Sequence, residues 1–147
     1  MLRCPDCQRA FKENQLKLFN GKINYGSYYE TNAKSVEIQC ILGEIKTKLA
    51  KIKEYYHGDI SIDLSSNGIS AKSVNGVLKF LKANASLHQT LVGLNLRNND
   101  FDVKAFGYIK SILFTCPNVS IDITGNRIKQ ADMSFFDNFG DRVTYSQ

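Results

Sequence analysis

One short pattern, apolar-x-apolar-x-x-Asn-x-apolar, occurs three times along this chain of 147 residues. It reads Leu94, Leu96, Asn99 and Phe101 in "LVGLNLRNNDF". It recurs as Ile62, Leu64, Asn67 and Ile69 in "ISIDLSSNGI", and as Ile121, Ile123, Asn126 and Ile128 in "VSIDITGNRI". Repetition at a period of roughly thirty residues marks stacked supersecondary units, none of which buries its apolar face alone. The alternating apolar pair predicts a short strand whose side chains point to opposite faces. The asparagine answers a different need. Where the chain turns off the sheet it leaves backbone donors and acceptors inside, and a carboxamide offers both kinds of partner. Asn67, Asn99 and Asn126 are therefore predicted to form a buried structural ladder.

The segments between copies read as helices. "SAKSVNGVLKFLKANASL" carries Val74, Val77, Leu78 and Leu81 at helical spacing, with Ser70 or Ser73 as its cap. "DVKAFGYIKSILFTCPN" carries Val103, Phe106, Ile109, Ile112 and Leu113, capped by Asp102 and stopped by Pro117. Strand–helix–strand order requires parallel strands. Helices are wider than strands, so the stack is expected to curve with the helices outside.

Over Asp59 to Ile128 these residues resemble a leucine-rich repeat protein of the ribonuclease-inhibitor-like subtype. The full L-x-x-L-x-L-x-x-N signature stands only in the middle copy, since Asp59 and Asn118 replace its first leucine in the others. The resemblance implies an α/β fold, a short leucine-rich repeat solenoid with parallel strands on the concave face and helices on the convex face. It also implies a non-catalytic module that binds, and through binding inhibits or regulates, a protein partner. The partner-binding residues expected on the sheet are Ser61, Asp63, Ser65, Asn95, Arg97, Asp122, Thr124 and Arg142. Gly93, Ser120, Thr144 and Ser146 complete the rows, and Arg97 is expected to reach outward, free, from mid-sheet. The chain also loosely resembles bacterial leucine-rich repeat effectors, which implies a host protein or another effector as the partner.

The ends frame this core within a single domain, 1–147. Residues 1–58 read as an N-terminal capping region and 59–128 as the repeats. Residues 129–147 read as a short helix, "ADMSFFDNF", and a last strand with Val143 and Tyr145 inward. Ile38, Leu42, Ile45, Leu49, Ile52 and Tyr56 share one face of a long helix, roughly residues 35–56. Upstream, "QLKLFNGKINYG" has two readings. Asn20-Gly21 is a two-residue hairpin turn, or Leu16, Leu18 and Ile23 are the apolar slots of a degenerate repeat with Gly21 in the asparagine slot.

The net charge of +5 is modest, and the lysines of "EIKTKLAKIKE" read as a solvated helix face. Nucleic acid is therefore not the expected partner. No apolar run is long enough for a bilayer, and "MLRCPDCQRAF" has no apolar signal segment, so a cytoplasmic chain is expected, or one delivered into a host cell without such a signal. The four cysteines are Cys4, Cys7, Cys40 and Cys116. Cys4-Pro-Asp-Cys7 with Phe11 looks like the first half of a zinc finger. No second ligand pair follows, and His57 and His88 stand far apart, so no metal and no cofactor are expected. No nucleophile elbow, HExxH or phosphate loop is present. Asp63 and Asp122 occupy equivalent strand positions but read as solvated acids rather than a catalytic pair. Two other classes stay open. One is a zinc- or nucleic-acid-binding regulator using Cys4, Cys7 and the basic helix. The other is an enzyme whose site assembles only in space.

Overall fold

Among the described residues, five short parallel strands lie side by side in chain order. The computed structural model describes residues 18–28 and 38–146. The strands are β1 (Lys22–Asn24), β2 (Ile60–Asp63), β3 (Leu91–Asn95), β4 (Ser120–Asp122) and β5 (Val143–Thr144). Their register aligns the repeat. Ile23 pairs with Ile62, Ile62 with Leu94, Leu94 with Ile121, and Ile121 with Val143. The first four of these are buried, and Val143 at the edge is half-buried. The connections carry α1 (Ile38–Ile52), α2 (Ala71–Ala83), a single turn α3 (Leu87–Thr90) and α4 (Phe106–Thr115). A short 3-10 turn, Val103–Ala105, leads into α4, and 3-10 turns span Gln130–Arg142. The fold is thus α/β on an open, wholly parallel sheet.

Local chemistry accounts for the helices. The Ser70 hydroxyl accepts from the Ser73 N–H at 3.3 Å, and the Asp102 carboxylate accepts from the Lys104 N–H at 3.0 Å. Each satisfies a donor that has no partner within its own helix. Val74, Val77, Leu78 and Leu81 of α2 face the core, as do Phe106, Ile109, Ile112 and Leu113 of α4. Leu64, Leu96 and Ile123, each the residue just past its strand, meet them from the sheet side, with Ile69, Phe101 and Ile128 behind the turns. One core therefore runs the length of the stack, the helices packed side by side on one face of the sheet.

The missing leucines at Asp59 and Asn118 have neighbouring substitutes. Ile60 pairs with Leu91 through a register shift that then pairs Ser61 with Gly93, so Ile60 fills Leu91's place one residue late. Buried Val119 stands at the same point of the third copy.

Both readings of the N-terminal stretch need correction. Leu18 and Phe19 are not in a strand, and β1 pairs parallel with β2 instead of folding back as a hairpin arm; Leu16 lies outside the described residues. The degenerate-repeat register is also displaced, because Ile23, not Leu16, aligns with Ile62. Counting on from Ile23, the asparagine slot falls at Tyr28 rather than at Gly21. The C-terminal segment differs as well. Gln130–Arg142 is a run of 3-10 turns broken at Gly140, whose φ is 54°. Phe136 inserts its ring against Phe106, with centroids 4.7 Å apart, and closes that end of the core.

Candidate binding face

The turn that follows each strand repeats in detail. The residue between the two apolar strand positions is Asn24, Asp63, Asn95 or Asp122. In each case its side-chain Oδ1 accepts the backbone N–H two residues on. The donors are Gly26, Ser65, Arg97 and Thr124, at 2.8, 2.9, 3.0 and 3.0 Å. Immediately before the asparagine slot, Ser27, Ser66, Asn98 and Gly125 share a positive φ of 53°, 57°, 56° and 78°. Four turns thus leave the sheet in the same way, including the one after β1 that lacks the asparagine.

The asparagines brace these turns from inside. Asn67 Nδ2 donates to the carbonyls of Leu64 and Ser65 in its own turn and to Tyr25 in the neighbouring one. Asn99 reaches further. Its Oδ1 accepts from the N–H groups of Asn67 and Ile69 at 2.8 and 3.1 Å, and its Nδ2 donates to the carbonyls of Leu64, Leu96 and Arg97. Asn126 Nδ2 donates to Leu96 and Ile123, and its Oδ1 accepts from Phe101 N–H at 3.4 Å. Asn67 is buried, whereas Asn99 and Asn126 are half-buried.

On the other face of the sheet lies a shallow trough of about 370 Å³, lined from all five strands. Two rows form it. Lys22, Ser61, Gly93 and Ser120 make the first. Asn24, Asp63, Asn95, Asp122 and Thr144 make the second. Ser61, Gly93 and Ser120 are small, so the middle of the first row is a slot. A Cβ added at Gly93 would stand 2.9 Å from the Ser61 hydroxyl, so that side chain leans over the glycine and the slot runs above it.

Of the eight residues expected to meet a partner, Ser61, Asp63, Asn95 and Asp122 line this trough. Ser65 is half-buried in the turn row, its carbonyl accepting from Ser27 N–H at 2.8 Å. The remaining three need correction. Arg97 does not reach out unpaired, because its Nη1 donates to Asp122 Oδ2 at 3.0 Å. The side chains are 45% and 26% exposed, so water and salt screen this pair and it contributes about 0–1 kcal/mol. Thr124 is buried, and its hydroxyl oxygen accepts from the Ser146 N–H at 3.0 Å. Arg142 turns away from the face. Its guanidinium donates to the carbonyls of Leu113, in the last turn of α4, and of Cys116 and Val119 just beyond it, at 2.8, 3.1 and 3.0 Å. A cation there also meets the negative end of the helix.

No protein-family model matches the sequence, and comparison with curated proteins finds no match.

The sequence carried one signal that pattern reading missed. The second template position is Asn or Asp in every copy, and Ile23-Asn24-Tyr25 shares it. That signal assigns β1 to the repeat despite Tyr28 in the asparagine slot. Cys4 and Cys7, the residues of the zinc reading, lie outside the described residues. Among the described residues, no cluster of three His, Cys, Asp or Glu is placed to hold a metal. Cys40 is exposed and Cys116 buried, both as free thiols. Burial pushes the Cys116 thiol up, with Arg142 opposing part of the shift. No helix among the described residues is long and apolar enough to cross a membrane.

Proposed function

We propose that this chain is a leucine-rich repeat solenoid acting as a non-catalytic binding module, and that it engages a protein partner through the open face of its sheet. Inhibition or restraint of that partner, a host protein or another effector, follows if the face covers the partner's working surface. A single observation carries the reading: the trough crosses all five strands and presents a row of carboxamides and carboxylates already fixed by local hydrogen bonds. Groups held this way lose little side-chain freedom when a partner arrives. Covered by a lipid or an apolar small molecule, these carboxamides and carboxylates would lose water without gaining partners, whereas a protein surface can supply them. The helix side is less suited, because α2 and α4 present lysines such as Lys79 and Lys110, a residue type depleted at interfaces.

The test starts from affinity capture of the partner from the parent or host cells, identified by mass spectrometry, and proceeds to calorimetry on the pair. Ser120→Tyr places a ring in the trough from an exposed position. It should weaken binding by at least about 2 kcal/mol with the fold unchanged. Lys79→Glu with Lys110→Glu should change affinity by less than about 0.5 kcal/mol. The opposite pattern places the partner on the helices and removes the proposal.

A further inference from the structure

Within the trough, Asp63 differs from every neighbour. Its Oδ1 is held by the Ser65 N–H, which fixes the carboxyl in place. Its Oδ2 has no hydrogen-bond or ion-pair partner among the described residues. The two arginines near the turns are engaged elsewhere, Arg97 with Asp122 and Arg127 with Asp100. Lys22 shares the trough from the edge strand β1 but forms no ion pair with Asp63. Beside Asp63 lies the slot over Ser61, Gly93 and Ser120. On the strands either side stand Asn24 and Asn95, whose carboxamide oxygens are taken by Gly26 and Arg97 N–H. Their Nδ2 groups remain as donors.

Resting on the open face as the binding surface, we infer that the partner anchors there through one basic side chain seated on Asp63. Its aliphatic stem lies along the slot at Gly93, and its ammonium or guanidinium meets the free carboxylate oxygen. The partner's main-chain carbonyls on either side accept from Asn24 and Asn95. Donor, carboxylate, donor is the complement of a cationic side chain rising from a peptide backbone. The same row is a poor match for an acidic segment, which would face an unpaired carboxylate in the middle. One anchor, rather than a polybasic run, fits the whole chain. The net charge is +5, and α2 and α4 carry lysines without a single acid. A polycation is therefore repelled at long range, whereas a single contact on Asp63 acts inside the screening length of about 8 Å.

Three blocked tripeptides test this by titration into isotope-labelled protein, followed by amide chemical shifts. They are acetyl-Gly-Arg-Gly-amide, its lysine counterpart and its glutamate counterpart. The arginine and lysine peptides should give saturable shifts at Ser61, Asp63, Gly93 and Asn95, and the glutamate peptide none there. Asp63→Asn removes the charge yet keeps the turn, since Asn24 and Asn95 make the same bond in their own turns. It should raise the dissociation constant about tenfold or more. A response to glutamate equal to that of arginine, unaltered affinity in Asp63→Asn, or no saturable shift with any peptide overturns the anchor. With the captured partner, Ser120→Tyr separates the two levels. Binding lost in Ser120→Tyr but untouched in Asp63→Asn removes the anchor alone, while binding untouched in both removes the face itself.

Discussion

Asn99 makes hydrogen bonds in two directions, down to the turn of β2 and within its own turn, so its loss strips partners from both. Asn99→Ala removes the side-chain acceptor of the Asn67 and Ile69 N–H groups, and one donor from each of three carbonyls that keep another. The expected cost is about 2–3 kcal/mol, read from denaturant melts. Asn126→Ala should cost less, about 1 kcal/mol, because fewer groups depend on it and its bond to Phe101 is long. Equal, negligible losses in both would refute the ladder as a source of stability. Arg142 is the other residue whose role is set by carbonyls. Arg142→Ala should cost about 2 kcal/mol, since the carbonyls of Leu113 in α4 and of Cys116 and Val119 just beyond it lose a donor together, Cys116 keeping the Val119 N–H. Lysine at 142 should recover only part of it, because a point charge cannot reproduce the directed fork of a guanidinium. No alternation pattern could have revealed this, because the carbonyls it serves come from residues 113, 116 and 119, far from 142 in sequence.

At the scale of the element, the repeated turn is the unit that specifies the fold. Its left-handed residue is Ser in two copies, Asn in one and Gly in one. A serine there carries a Cβ penalty that glycine lacks. Ser66→Gly should therefore stabilise the protein by about 0.5–1 kcal/mol. Gly125→Ala should do the reverse, by about 1–2 kcal/mol or more, because a Cβ there would collide with the Asn98 side chain as well as strain the backbone. Melting curves of the two variants decide it. The strands and core of the three central copies were legible in the sequence because apolar alternation and the asparagine occur together. β1 was not, because its asparagine slot holds Tyr28 and only the Asn24 turn marks it. The trough rows at 61, 63, 95 and 122 were legible from alternation alone. The engagement of Arg97 was not, since its partner lies on the next strand and ion pairing leaves no trace in spacing.

For the molecule as a whole, the buried thiol of Cys116 sets an alkaline boundary. Its folded value is raised, chiefly by desolvation, above the ordinary value of 9.0. The unfolded chain therefore ionises first. Below 9.0 this residue costs nothing, and stability is lost as pH climbs from there through the folded value. Tyr25, also raised by burial with Glu44 adding to it, extends the loss above its ordinary value of 10.0. Urea midpoints should fall across this range, and Cys116→Ala should flatten the fall even if its overall stability is lower. The order of the strands has a consequence of another kind. β1 and β5 are opposite edges of one parallel sheet, so tension between residues 22 and 144 acts along the interstrand hydrogen bonds rather than across them. Under load such a molecule opens like a zipper, one strand at a time. Stretched in a single-molecule instrument, it yields through a series of small extensions at low force instead of one high-force rupture.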